Sequence, residues 1–169
     1  MKYGITLLIC IYAVIASAQT PTPECKFTDP FFDKMEGQWT MAGDMGKQKV
    51  AYNFNAHWVL KHKFMEWEIT DILHKDPEYM ARVYVGYDCV SKRYIVHWID
   101  NMGGKFSETL GYGTRKGDAI EVQFAYPNAP SVNTISYNKA TNSWQFHLVW
   151  QDQNKKWATW SKTTLTKKK

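Results

Sequence analysis

Apolar and polar residues alternate through most of this chain, most plainly from Tyr79 to Thr114. That stretch holds three short apolar-rich runs separated by Asp, Asn, Ser or Gly, the pattern of an antiparallel meander. Strand side chains alternate between faces, so Ala81, Val83, Val85 and Tyr87 share one side. Asp88 to Lys92 reads as a tight connection. In the next run Tyr94, Val96 and Trp98 share one face, and Ile95, His97 and Ile99 the other. Asn101-Met102-Gly103-Gly104 reads as a hairpin turn, because Asn and Gly accept a positive φ. Lys105 to Thr114 then reads as a returning strand, and Gly111 and Gly113 predict a bulge or a sharp bend in it.

The same reading predicts strands over 36–43, 47–56, 58–70, 79–88, 93–100, 104–114, 118–126, 131–138, 143–151 and 156–166. Val50, Tyr52, Phe54 and Ala56 form one apolar face. Ile120, Val122, Phe124 and Tyr126 form another, as do Trp144, Phe146, Leu148 and Trp150. The 58–70 run spreads Lys61, His62, Lys63 and Glu66 over both faces, which a bulge or a polar barrel interior would explain. The connections carry Gly, Asp, Asn and Pro. Ten strands in simple succession predict an all-β fold, a single ten-stranded antiparallel up-and-down β-barrel whose closure removes exposed edges. Ahead of it, Thr28 to Met35 predicts a short N-terminal helix, with Thr28 or Asp29 as cap and Pro30 in the first turn. Its Phe31, Phe32 and Met35 form an apolar side suited to closing one end of the barrel.

The first residues change the picture of where the barrel works. Lys2, an apolar run from Ile5 to Ile15 and Ala16-Ser17-Ala18 match an export signal with cleavage after Ala18. The run is too short for a membrane span, and bulky Ile9 argues against a lipid on Cys10. The expected organisation is a signal over 1–18, an N-terminal arm over 19–29 and a barrel domain over 30–169. Cleavage leaves 151 of 169 residues and, with Lys2 gone, a net charge of +4 in place of +5. That charge is mixed and partly held in Lys167-Lys168-Lys169, so it predicts no nucleic-acid partner. Cys25 and Cys89 remain. They either pair in an oxidising compartment or stay as one buried and one exposed thiol.

Two groups of residues carry a family likeness. Gly37-Gln38-Trp39, opening the first strand after the short helix, resembles the Gly-x-Trp signature of the calycin superfamily. Val85-Gly86-Tyr87-Asp88, Lys92-Arg93-Tyr94, Trp98-Ile99-Asp100 and Gly111 resemble the pattern of secreted bacterial proteins grouped as domain of unknown function 1579. The resemblance spans about residues 30–166. It implies a calycin-like barrel related in shape to lipocalins and fatty-acid-binding proteins, with Trp39 packed at the closed end, and it implies no activity. A gram-negative periplasmic location fits it.

The chain has eight Trp, ten Tyr and eight Phe. An interior lined by Trp39, Tyr52, Phe54, Trp98, Phe124 and Trp150, with Phe146 beside them and His97 as a polar anchor, predicts a site for a small apolar or aromatic ligand. The alternative is a barrel filled by its own side chains. No zinc signature is present, and no cofactor is expected. A minority reading makes His97 or His147 a haem ligand, as in the nitrobindin-like barrels the chain distantly resembles; Thr40-Met41-Ala42-Gly43 departs from their glycine-rich motif. A second alternative is a hydrolase or isomerase using His97 with Asp88 or Asp100, although Asp at strand ends is common turn chemistry. A membrane-inserted barrel is disfavoured by the terminal lysines and by charges on both faces of 58–70.

Overall fold

A computed structural model describes residues 25–127 and 129–168. The predicted export signal and the start of the arm lie outside the described residues. From Cys25 the chain runs extended to α1 (Pro30–Asp33), where the Asp29 carboxylate accepts the Phe31 N–H at 2.9 Å and Pro30 occupies the first turn. Ten strands follow: β1 (Gly37–Met45), β2 (Gln48–Val59), β3 (Phe64–Asp71), β4 (Met80–Asp88) and β5 (Arg93–Asp100). After the single turn α2 (Gly104–Ser107) come β6 (Gly111–Lys116), β7 (Ala119–Phe124), β8 (Ser131–Asn138), β9 (Ser143–Gln151) and β10 (Trp157–Lys167). Each pairs antiparallel with its sequence neighbour, and β1 pairs with β10, which closes the barrel.

Three local expectations are corrected. The 58–70 run is not one strand: β2 continues to Val59, and Leu60, Lys61 and His62 form a left-handed turn with φ of 50°, 56° and 64°. The turn takes up Lys61 and Lys63, and Glu66 and Glu68 fall on the outer face of β3, opposite Met65, Trp67 and Ile69. The charges that blurred the alternation therefore belong to a turn and an outer face. The 104–114 run is also not one strand, because Asn101 to Gly103 lead into α2 before β6 begins. Finally, β6 stays in regular register with β7. Gly111 makes room rather than a bend: a Cβ there would lie 2.6 Å from the Phe124 ring. The register shift lies in β10, between Thr159 and Ser161.

One end of the barrel is sealed by aromatic packing. Phe31, Phe32 and Met35 sit against Trp39, Trp144 and Leu165, all essentially without solvent exposure. The Trp39 indole N–H donates to the Met35 carbonyl at 2.7 Å, which joins β1 to the segment after the helix. The arm belongs to this floor. Phe27 packs on Phe32, Trp58 and Tyr94, and a disulfide joins Cys25 to Cys89 in the turn after β4, with Cα atoms 5.7 Å apart. Truncating one of these large buried aromatic side chains costs about 3–5 kcal/mol.

Candidate functional site

The open end of the barrel holds a cavity of about 520 Å³. Its position follows from the topology. β5 and β6 pair only from Tyr94 to Val96, opposite Gly113 to Gly111. Beyond that point His97 to Asp100 pair with β4 alone, and α2 lies beside them. The cavity opens at this divergence.

One wall is aromatic: Tyr52 from β2, Tyr79 ahead of β4, Trp98 from β5, Phe124 at the end of β7, and Tyr126 beyond it. Phe124 and Tyr126 stack with ring centroids 5.7 Å apart, and Tyr52 meets Tyr79 at 5.6 Å. Met41, Ile69 and Phe146 form the lower lining, while Met102, Phe106 and Trp160 stand at the rim and are also exposed to solvent.

The facing wall carries small polar side chains. Ser131 and Asn133 come from β8, and Ser161 and Thr163 from β10; all four are at most 8% exposed. The registers set Asn133 and Ser161 on either side of Leu148 in β9. The Asn133 side-chain oxygen has no hydrogen-bond partner. Of the buried side-chain atoms without a partner among the described residues, this oxygen is the one in the cavity wall, where it is available to accept from a donor.

A hydrogen-bonded chain crosses the mouth. The Trp98 indole N–H donates to the Tyr79 hydroxyl at 2.8 Å, and that hydroxyl donates to Asp100 Oδ2 at 3.2 Å. The second Asp100 oxygen accepts the Met102 N–H at 3.0 Å. Burial, and then the Asp100 charge, push the Tyr79 phenol far above its ordinary range. The same two causes, in the same order, raise Tyr126. Tyr52 is raised by burial and by Asp71. All three phenols are therefore neutral hydrogen-bonding groups at any pH near 7.

Among the residues expected from sequence, Tyr52, Trp98, Phe124 and Trp150 line the cavity. Trp39 lies in the sealed floor, and Phe54 packs between Trp67 and Phe146, each at 5.8 Å, rather than in the lining. His97 is a correction. It alternates with Val96 and Trp98, so its ring is on the outer face, where Nε2 lies 2.8 Å from the Ser107 carbonyl of α2. His147 is also outside, paired with Thr159 at 2.9 Å. Neither histidine lines the cavity, so neither is placed to reach a haem there. His97 is likewise not brought to either carboxylate: Asp88 caps its own turn through the Val90 and Ser91 amides, and Asp100 is on the opposite face of β5. Among the described residues, no cluster of His, Cys, Asp and Glu is arranged to hold a metal ion.

Tyr79, Asp100, Asn133, Ser161 and Thr163 were not foreseen as lining. Asp100 shares the face of Trp98 two residues away, and that signal was present in the sequence. Its turn role is equally real, and one oxygen serves each purpose. A second depression, of about 390 Å³ near Asp118, Lys139 and Gln145, is shallow and polar.

A family model described as protein of unknown function DUF1579 matches residues 28–166. The chain belongs to this DUF1579 family. No curated protein matches it. The residues through which it resembles DUF1579 have definite places. Gly86 leaves space for the Phe64 ring, and Tyr94 hydrogen-bonds to Asp29 beside the helix. Trp98 and Asp100 build the mouth, and Gly111 accommodates Phe124. In this DUF1579 chain the motif thus serves the barrel and its opening together.

Proposed function

We propose that this DUF1579 protein is an exported barrel that binds one small apolar or aromatic molecule in its open end. The observation that carries the reading is the aromatic-lined cavity of about 520 Å³, with the unpartnered Asn133 side-chain oxygen in its wall. Ligand pockets of a few hundred cubic ångströms, mostly apolar with a few placed polar groups, have this character. A barrel filled by its own side chains would leave no such space. Trp98, Tyr52, Phe124 and Trp150 supply contact area, and Asn133 takes the anchoring role that the sequence suggested for His97.

Export is part of the same reading. The bond between Cys25 and Cys89 supports it, because such bonds persist in oxidising compartments. Outward-facing Arg82, which pairs with both Glu66 and Glu68 on the barrel wall, supports a barrel bathed in water rather than lipid.

The test is binding of an apolar fluorescent probe, read beside native mass spectrometry of protein purified gently from its host. One probe per chain is expected, with affinity lowered in Trp98→Ala and in Asn133→Leu. A chain that binds no probe and carries no extra mass would overturn the reading.

A further inference from the structure

Among the described residues, the lining of the cavity contains one charged side chain, Asp100, and no lysine, arginine or histidine. Asp100 is partly buried. Its oxygens accept from the Tyr79 hydroxyl and the Met102 amide, and among the described residues no basic side chain forms an ion pair with it. A carboxylate at the edge of an apolar cavity, with lone pairs left over after two hydrogen bonds, is a ready counter-charge for a cation. The aromatic rings of Trp98, Tyr79 and Tyr126 gather around the same mouth, and aromatic faces attract cations. A fatty-acid carboxylate would meet the opposite situation: repulsion from Asp100 and no basic partner anywhere in the lining.

We propose that the ligand is an organic cation: an ammonium or amidinium head held at Asp100 among the mouth aromatics, on an apolar body that fills the cavity. This rests on the ligand-binding reading above and narrows it to a chemical class. Asp100 supplies the counter-charge through the free lone pairs of its carboxylate. Tyr79 holds that carboxylate in place, and is itself held by Trp98. The body lies against Tyr52, Phe124 and Phe146. A hydrogen-bonding group along it would meet Asn133.

The test compares three probes with one chain and different heads: n-decylammonium, n-decanol and n-decanoate. Each competes against an apolar fluorophore below its micelle concentration at pH 7. The cation is expected to bind about tenfold tighter than the alcohol, the size of a partly desolvated cation–aromatic contact, with decanoate the weakest. Asp100→Asn keeps the acceptor for the Met102 amide and is expected to bring decylammonium to the level of decanol. Raising the salt concentration on the unaltered protein should erode the same preference, a readout that does not depend on the variant folding. Decanol or decanoate binding as tightly as the cation would overturn the proposal while leaving ligand binding intact, as would a cation preference that survives in Asp100→Asn. Failure of all three probes and of the fluorophore would overturn both.

Discussion

Trp98 hands its indole N–H to the hydroxyl of Tyr79 across 2.8 Å, and the two side chains stand together at the barrel mouth. Trp98 comes from β5, whereas Tyr79 precedes β4, so the bond ties the loop after β3 to the strand that leads into α2. Its second half, from Tyr79 to Asp100, returns to β5 two residues further along. The mouth is therefore tied by a chain of side-chain hydrogen bonds on top of its ring contacts, whereas the floor rests chiefly on packing and the disulfide.

Tyr79→Phe tests that division. The substitution keeps the ring and removes the hydroxyl, which leaves the Trp98 N–H without its acceptor and Asp100 without one donor. A loss of about 1–3 kcal/mol is expected, the usual cost of stranding a buried partner. Urea unfolding checks the stability. Trp98 fluorescence should shift while the spectrum of the floor tryptophans stays put.

The bond between Cys25 and Cys89 spans 64 residues. Restraining an unfolded chain over such a loop is worth roughly 4 kcal/mol on the entropy argument. The double change Cys25→Ser with Cys89→Ser is expected to lower the unfolding free energy by an amount approaching that value, and the unfolding midpoint with it. It should also expose Phe27, which the bond holds in the floor at 3% exposure. A midpoint unmoved by reductant on the unaltered protein would count against both effects.

The large-scale pattern was legible because alternation repeats ten times, and a one-residue error in any strand would have turned apolar faces outward. What escaped was short-range. Leu60 to His62 adopt left-handed geometry without a glycine to announce it. α2 is a single turn, too brief for any periodic signal, and it hid inside a run that alternated acceptably. A glycine in a strand can mean a bulge, a sharp bend or a close approach; at Gly111 the Phe124 ring decides for the last. At the site, Tyr52, Trp98, Phe124 and Trp150 were legible as large inward aromatics. Ser161 and Thr163 were not, since small polar residues on an inward face look the same as turn or edge residues until the opposite wall is known.

The loop from Asp71 to Glu78 borders the mouth and should respond to pH. His74 Nδ1 lies 2.7 Å from Asp71 Oδ2, and this bond is the main cause that raises the His74 pKa above its ordinary 6.5. Asp71 is lowered, chiefly by the Leu73 N–H at 2.9 Å and then by His74 and the Glu78 amide. A raised histidine contributes stability that is full below 6.5 and is lost as pH climbs through its folded value. A lowered carboxylate contributes stability present above about 3.9 and lost as pH falls through its folded value. The loop is thus tightest between about pH 4 and 6.5. Amide exchange at Leu73 and Glu78 should slow in that window. In Asp71→Asn the NMR titration of His74 should fall back toward its ordinary value, and a titration unchanged by that substitution would contradict the assignment.

His97 offers the last prediction, because its place on the outer face gives it a different task from lining the cavity. Its ring nitrogen meets the Ser107 carbonyl at 2.8 Å, the one side-chain hydrogen bond between β5 and α2 among the described residues. α2 fills the gap where β5 and β6 part, and its Phe106 lines the mouth while remaining 51% exposed. A partly exposed hydrogen bond of this kind contributes about 1 kcal/mol, so His97→Ala should lower the unfolding midpoint only slightly. Its effect belongs instead to exchange through the gap. Stopped-flow release of an apolar probe should quicken several-fold, and association should quicken with it, leaving equilibrium affinity nearly unchanged. His97→Asn, which keeps a donor on a shorter side chain, should fall between the two. Slower release, or a large loss of equilibrium affinity in His97→Ala, would mean that this ring acts on the ligand and not on the helix that covers it.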